Sequence, residues 1–163
     1  MEHCLSLTSP TDSAEEPDSL CELFSKLDAL HVELLPETFN SFPGPSRPLD
    51  LLREKLKSQD KALFVAVVGD KLVGFTDIQR SSNPPYPMFK PREYALIDNI
   101  FVLDDFRGTG LAHSFFEHAK SWAKEHGLSN LQLKVYNANR AAIRFYEKEG
   151  MRQLNTTYEL DSE

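Results

Sequence analysis

Residues 94–126 hold the feature that most limits the fold. Tyr94–Val102 is an apolar run broken only by Asp98 and Asn99, and it leads into the turn Phe106-Arg107-Gly108-Thr109-Gly110. A helix is expected over Gly110–His126, with Leu111, Phe115, Ala119, Trp122 and Ala123 on one face and Gly127 as its stop. A strand that meets an amphipathic helix across a glycine turn buries that helix against a sheet. The rest of the chain repeats both element types. Leu20, Leu23, Phe24, Leu27, Leu30, His31 and Leu34 recur at helical steps, with Asp18 or Ser19 as N-cap and Pro36 as the end. A shorter helix runs from Pro48 to about Lys57. Ala62–Val68 and Lys71–Ile78 flank Gly69-Asp70 and read as a hairpin. Residues 80–92 carry Pro84, Pro85, Pro87 and Pro91 and read as a long loop. Leu131–Tyr136 reads as a strand, Ala141–Glu149 as a helix closed by Gly150, and Thr156–Leu160 as a last strand. The expected class is an α/β or α+β sandwich in one domain over residues 1–163, with a mixed sheet because a hairpin feeds the central strand.

Charge and cysteine content narrow the function classes. Against 18 Lys and Arg stand 25 Asp and Glu, a net charge of −7. That balance disfavours a nucleic-acid partner, which needs clustered basic residues. It suits a cationic substrate, and equally an acidic surface kept for solubility. Cys4 and Cys21 are two cysteines in 163 residues, so free thiols are expected rather than a disulfide framework. His113 and His118 sit roughly 140° apart around a helix, and no zinc spacing exists, so no metal is expected. The longest apolar run, Ala62–Val68, is seven residues, too short for a bilayer, and the first ten residues lack the pattern of a signal peptide. The expectation is a cytoplasmic protein with no membrane partner.

A glycine turn before a helix suits an anion, since the first N–H groups of the helix have no intrahelical partner and the dipole favours negative charge. The same turn also serves tight packing. No Lys follows Gly110, as a P-loop requires, and residue 113 is His where a dinucleotide fingerprint needs a third glycine.

The stretch Val102-Leu103-Asp104-Asp105-Phe106-Arg107-Gly108-Thr109-Gly110-Leu111-Ala112 resembles the acetyl-CoA signature of the GNAT superfamily of N-acetyltransferases, [QR]-x-x-G-x-[GA] after an apolar strand. Asn139-Arg140-Ala141-Ala142-Ile143-Arg144-Phe145-Tyr146-Glu147-Lys148-Glu149-Gly150-Met151 resembles the family's second signature. The resemblance covers about residues 60–160, and the family's opening strand would fall at His3–Leu7. It implies a mostly antiparallel central sheet flanked by helices, with acyl-CoA in a splayed cleft between two central strands. Backbone N–H groups across Arg107, Gly108, Thr109, Gly110, Leu111 and Ala112 would cradle the pyrophosphate. The backbone of Ile100, Phe101 and Val102 would pair with the pantetheine arm as an added strand does. Asn139 would cap the last helix and bond the same arm; capping alone is the plainer reading. The resemblance also implies a homodimer.

In this family a tyrosine of the last helix serves the leaving thiolate, and Tyr146 stands there; a core aromatic role beside Phe145 is the alternative. A phenol near pKa 10 facing a thiol near 8.5 can give up its proton or only a hydrogen bond. Asp98 matches the glutamate position of spermidine/spermine N-acetyltransferases. An aspartate near pKa 3.9 is a poor base for an ammonium near 10, but it can hold the cation and order a water. Glu93, Tyr94 and His31 are lesser candidates for the base. Pro84, Tyr86, Phe89 and Arg92 are candidates for an acceptor wall, and Glu33, Glu37 and Asp77 suit a cationic amine. The expected activity is transfer of an acetyl group from acetyl-CoA to a primary amine of a small cationic molecule. A protein N-terminus or lysine is the alternative acceptor, and an acyl-CoA-binding sensor is the alternative without turnover.

Overall fold

The computed structural model of the protein describes residues 16–162. The elements run α1 (Glu16–Leu34), α2 (Leu49–Leu56), β1 (Lys61–Val68), β2 (Lys71–Ser82), β3 (Glu93–Val102), a single 3-10 turn (Asp104–Phe106), α3 (Leu111–Glu125), β4 (Leu131–Leu133) and α4 (Arg140–Lys148). The strands lie in the order β1-β2-β3-β4. The first two junctions are antiparallel and the last, β3 with β4, is parallel. The architecture is therefore α+β with a mixed, mostly antiparallel sheet flanked by helices.

Each sheet face carries one apolar cluster. Val73, Ile78, Ala95, Ile97 and Val102 point to one side and pack against Leu111, Phe115, Phe116, Ala119 and Trp122 of α3. Leu63, Val65, Phe75 and Phe101 point to the other side and meet Leu20, Leu23, Phe24 and Leu27 of α1 and Leu52 of α2. The strand period of two deals residues to the two faces, and the helical period gathers the α3 residues onto one stripe.

Several boundaries differ from expectation. α1 is already helical at Glu16, so Asp18 and Ser19 lie inside it and do not cap it. Proline fits a first helical turn because its missing N–H would have no partner there, and Pro17 does not stop the helix. β2 runs on to Ser82, because Arg80, Ser81 and Ser82 pair with Ala95, Tyr94 and Glu93. Arg80 fixes that end, with ion pairs to Asp60 at 2.9 Å and Glu93 at 3.0 Å. The loop is thus residues 83–92, pinched at its base by Asn83 N–H on the Arg92 carbonyl at 2.9 Å. The fourth strand is Leu131–Leu133 alone, without residues 134–136.

Thr156–Leu160 forms no strand, and Tyr158 and Leu160 are 91% and 92% exposed. A β-rich sequence becomes a strand only where an edge takes its hydrogen bonds, and none of the described residues pairs with it. Among the described residues β4 is therefore the last strand of the sheet, and the opening lies between β3 and β4. The opening strand expected at His3–Leu7 lies outside the described residues, as does Cys4. Among the described residues no helix is long and apolar enough to cross a membrane.

Candidate active site

The site begins where β3 and β4 part. Their parallel pairing holds for Ala95↔Leu131, Leu96↔Gln132 and Ile97↔Leu133, and then ends. Asp98 is the next residue, and it is an extra residue in β3: Asn99 pairs Asp77 and Ile97 pairs Ile78, with Asp98 between them. A bulge of this kind bends the strand and re-aims side chains. Beyond it, β3 keeps its partner β2 on one side only. Leu103 N–H bonds the Val73 carbonyl at 2.9 Å, so alternation turns the backbone groups of Phe101 toward β2. The same alternation turns those of Ile100 and Val102 toward the opening. Arg107 Nε already occupies the Val102 carbonyl at 3.2 Å. Of the three residues expected to offer strand-like backbone, Ile100 and Val102 turn theirs away from β2, with the Val102 carbonyl taken by Arg107, and Phe101 turns toward β2.

The glycine turn stands at the end of this edge. Gly108 and Gly110 have φ of 73° and 89°, the left-handed region, and Gly110 is the N-cap of α3 without any side-chain cap bond. A Cβ at either glycine would meet no atom within 4 Å, so backbone conformation and not crowding calls for glycine there. The first N–H groups of α3, at Leu111 and Ala112, thus face outward at the positive end of the helix. Thr109 Oγ1 donates to the Phe106 carbonyl and tightens the turn. The Arg107 guanidinium folds back to Asp104 at 2.9 Å.

α4 follows β4 in the chain and packs against α3. Asn139 caps α4, its side-chain oxygen accepting from Ala142 N–H at 3.1 Å. About two helical turns later comes Tyr146, whose hydroxyl burial pushes up to about 12. Phe145 turns inward to Phe116 of α3 with ring centroids 6.3 Å apart. His113 Nδ1, in the first turn of α3, reaches Glu149 at the end of α4 at 2.9 Å. These contacts hold the tyrosine helix against the glycine-turn helix. His113, Glu117 and Glu149 place ligand-type atoms within 4.8 Å of one another, but Glu149 is taken by His113 and Glu117 by Lys120.

The α1 face of β2 and β3 carries the remaining polar groups. Asp98 is exposed and its carboxylate accepts from Gln79 Nε2 at 2.7 Å, so it lies over β2. Asp77 accepts from Asn99 Nδ2 at 2.8 Å. Burial raises the Asp77 carboxyl to about 6, against the lowering effect of that hydrogen bond. Both acids line one cleft with Phe24, Leu52, Lys55 and Lys61. Above them Arg47 pairs with Asp28 of α1 at 2.9 Å. His31 stacks on Phe39 at 5.1 Å, and Tyr136 stands edge-on to both. The three rings join the end of α1 to the chain beyond β4. Burial lowers the His31 pKa, so this ring is neutral and packed at pH 7.

Of the expected residues, Ile100 and Val102 turn backbone groups away from β2 at the end of β3, Gly108–Ala112 form the turn and first residues of α3, and Asn139 and Tyr146 belong to α4, which packs against α3 through Phe145 and Phe116. Glu33 and Glu37 are exposed residues beside the end of α1. Pro84, Tyr86, Phe89 and Arg92 sit at the start of β3, away from the bulge, so they do not wall this opening. Arg92 instead bonds Asn130 at 2.9 Å. Glu93 is held by Arg80 at that same distant end. Asn99 and Gln79 were not legible as site residues. Their one signal was a polar pair, Asp98-Asn99, inside an apolar strand.

Comparison with known proteins agrees with this geometry. Residues 27–151 match the family described as the acetyltransferase (GNAT) family. An uncharacterized N-acetyltransferase of Methanocaldococcus jannaschii is 35% identical over 100 residues, 60% of this chain and 42% of that protein. A streptothricin acetyltransferase of Escherichia coli is 30% identical over 101 residues, 62% of this chain and 53% of that protein. The matched stretch thus spans about half the length of these curated relatives. Among solved structures, the BH1408 protein of Bacillus halodurans aligns with a TM-score of 0.83 at 25% identity, covering 91% of this chain and 95% of that one.

Proposed function

The chain belongs to the GNAT family of acetyltransferases, and from that premise we propose that it transfers an acetyl group from acetyl-CoA to the primary amine of a small cationic molecule. The observation that carries the reading is the parting of β3 and β4 beside the uncapped N-terminus of α3. The pyrophosphate of acetyl-CoA fits the N–H groups from Gly108 to Ala112. The pantetheine arm fits the open backbone of Ile100 and Val102 as an added strand. Asn139 uses its oxygen as a cap and keeps Nδ2 to donate to that arm.

The reaction joins the amine nitrogen to the thioester carbonyl carbon and breaks the carbon–sulfur bond. Tyr146 acts on the leaving sulfur. A phenol at about 12 is some 3.5 units above a thiol near 8.5, so full proton transfer would cost about 5 kcal/mol. Tyr146 therefore keeps its proton and donates a hydrogen bond to the developing thiolate. Asp98 adds negative charge at the mouth of the acceptor cleft and holds the incoming cation through ordered water. The small cationic acceptor is supported by the acids on the α1 face and by the streptothricin-acetylating relative.

Two measurements test the reading. Acetyl-CoA at about 100 times its Kd should add about 2.7 kcal/mol and raise Tm by about 5–10 °C, while ATP and NAD should not. Thiol release in the presence of primary amines then separates a transferase from an acyl-CoA sensor. A chain that is stabilised but releases no thiol with any amine would be a sensor.

A further inference from the structure

Asp77 is a half-buried carboxylate without an ion-pair partner among the described residues. Among the described residues none of the salt bridges includes it. Its one hydrogen bond comes from a neutral amide, Asn99 Nδ2, at 2.8 Å. Such a group is costly unless a cation reaches it or it takes a proton. The nearby cations Lys55 and Arg47 lower its pKa from a distance, but among the described residues neither forms an ion pair with it. Arg47, from the segment before α2, is committed to Asp28 of α1 at 2.9 Å. Lys55 of α2 lines the same cleft but makes no ion pair with it, and Lys61 of β1 stands at the rim. From β3, Asp98 adds a like charge. From its own strand, Gln79 is occupied by Asp98. From α1, Phe24 contributes an apolar wall.

Asp77 also has a position. Its partner Asn99 follows the bulge and is the second residue beyond the last β3–β4 pair. The Asp77–Asn99 pair therefore faces the α1 side of the sheet at the level where the strands part. Asn99 occupies Asp77 Oδ1, and Oδ2 has no partner among the described residues. We infer that Asp77 is the acceptor-binding base: its Oδ2 binds the ammonium head of the acceptor, the only part that the cleft of about 30 Å³ under α1 and α2 admits, and takes its first proton. This inference rests on the transferase reading above. The balance is as follows. R–NH3+ and the Asp77 carboxylate become R–NH2 and the carboxylic acid. The neutral nitrogen attacks the carbonyl carbon, and the carbon–sulfur bond breaks toward sulfur. The second proton, lost from nitrogen as the amide forms, ends on the thiolate, and Asp77 returns its proton to solvent. A carboxyl raised to about 6 is closer to the ammonium than an ordinary one and is still ionised at pH 7.

The test is thiol release over pH 5–9 with four amine probes: spermidine, an aminoglycoside, streptothricin and a lysine peptide. Wild type should show kcat/KM rising through an acidic limb near pH 6. Asp77→Asn should lose that limb and about 100-fold or more of kcat/KM, with acetyl-CoA affinity within twofold of wild type. Asn99→Ala should move the limb to higher pH, because the Asn99 donor holds the carboxyl down. That shift also separates a base from a structural residue, since a packing defect would lower the rate without moving the limb. Asp77→Asn that keeps the limb and stays within threefold of wild type overturns the role of Asp77 alone. A wild type that binds acetyl-CoA yet acetylates none of the probes overturns the transferase reading, and the role of Asp77 with it.

Discussion

The two faces of the sheet are built on different terms. The α3 face is closed by hydrocarbon and rings, with Phe115, Ala119 and Ala95 fully buried. The α1 face begins the same way with Phe24 and Phe75 and then admits Asp77, Asn99, Asp98 and Gln79 at its open end. One face is optimised for packing and the other carries a group that packing alone would reject. The difference teaches where the acceptor chemistry belongs: on the face where stability has been given up.

Truncation on the packed face should have the largest effect. Phe115→Ala should cost about 3–5 kcal/mol, read as a lower urea midpoint with acetyl-CoA affinity per folded molecule little changed. Next comes a change of opposite sign. A raised carboxyl contributes stability that is present below its ordinary value of 3.8 and lost as pH rises through about 6. Asp77→Asn removes that loss. It should be more stable than wild type by about 3 kcal/mol at pH 8, with the two converging below about pH 4. Denaturant melts at the two pH values read this directly. A variant no more stable than wild type at pH 8 would break the contrast between the faces.

Tyr146→Phe should slow turnover by about tenfold to a hundredfold, about 1.4–2.7 kcal/mol, in pre-steady-state rates, with acetyl-CoA affinity unchanged. Wild-type turnover in that variant would remove Tyr146 from the mechanism. Gly110→Ala places a side chain at φ of 89° and should cost about 1–2 kcal/mol of stability. It should also weaken acetyl-CoA in calorimetric titration, because the N–H groups of the turn are re-aimed. Smallest is Asp98→Asn. It should raise the acceptor KM by a few-fold without changing kcat, since Asp98 is exposed and acts through water. An unchanged acceptor KM would restrict the cation contact to Asp77.

The packed face was legible in the sequence because its signals are local. The spacing of Leu111, Phe115, Ala119, Trp122 and Ala123 is a property of one helix, and Gly69-Asp70 declares its own hairpin. The glycine turn was legible for the same reason. Three things were not. Asp98 reads as a strand residue, yet it is a bulge, because the register of β3 is set by β2 and not by its own sequence. Thr156–Leu160 has strand composition, yet it pairs with none of the described strands. Asp77 has an ordinary sequence position. Its burial comes from α1 and α2, which reach it from 20 to 60 residues upstream along the chain.

The open backbone of Ile100 and Val102 carries a consequence for the fate of the chain in a cell. Unpaired strand groups accept any extended peptide that fits, including a segment of another polypeptide. If acetyl-CoA binds as proposed, it would cover that edge, and the unliganded chain would leave it open to such pairing.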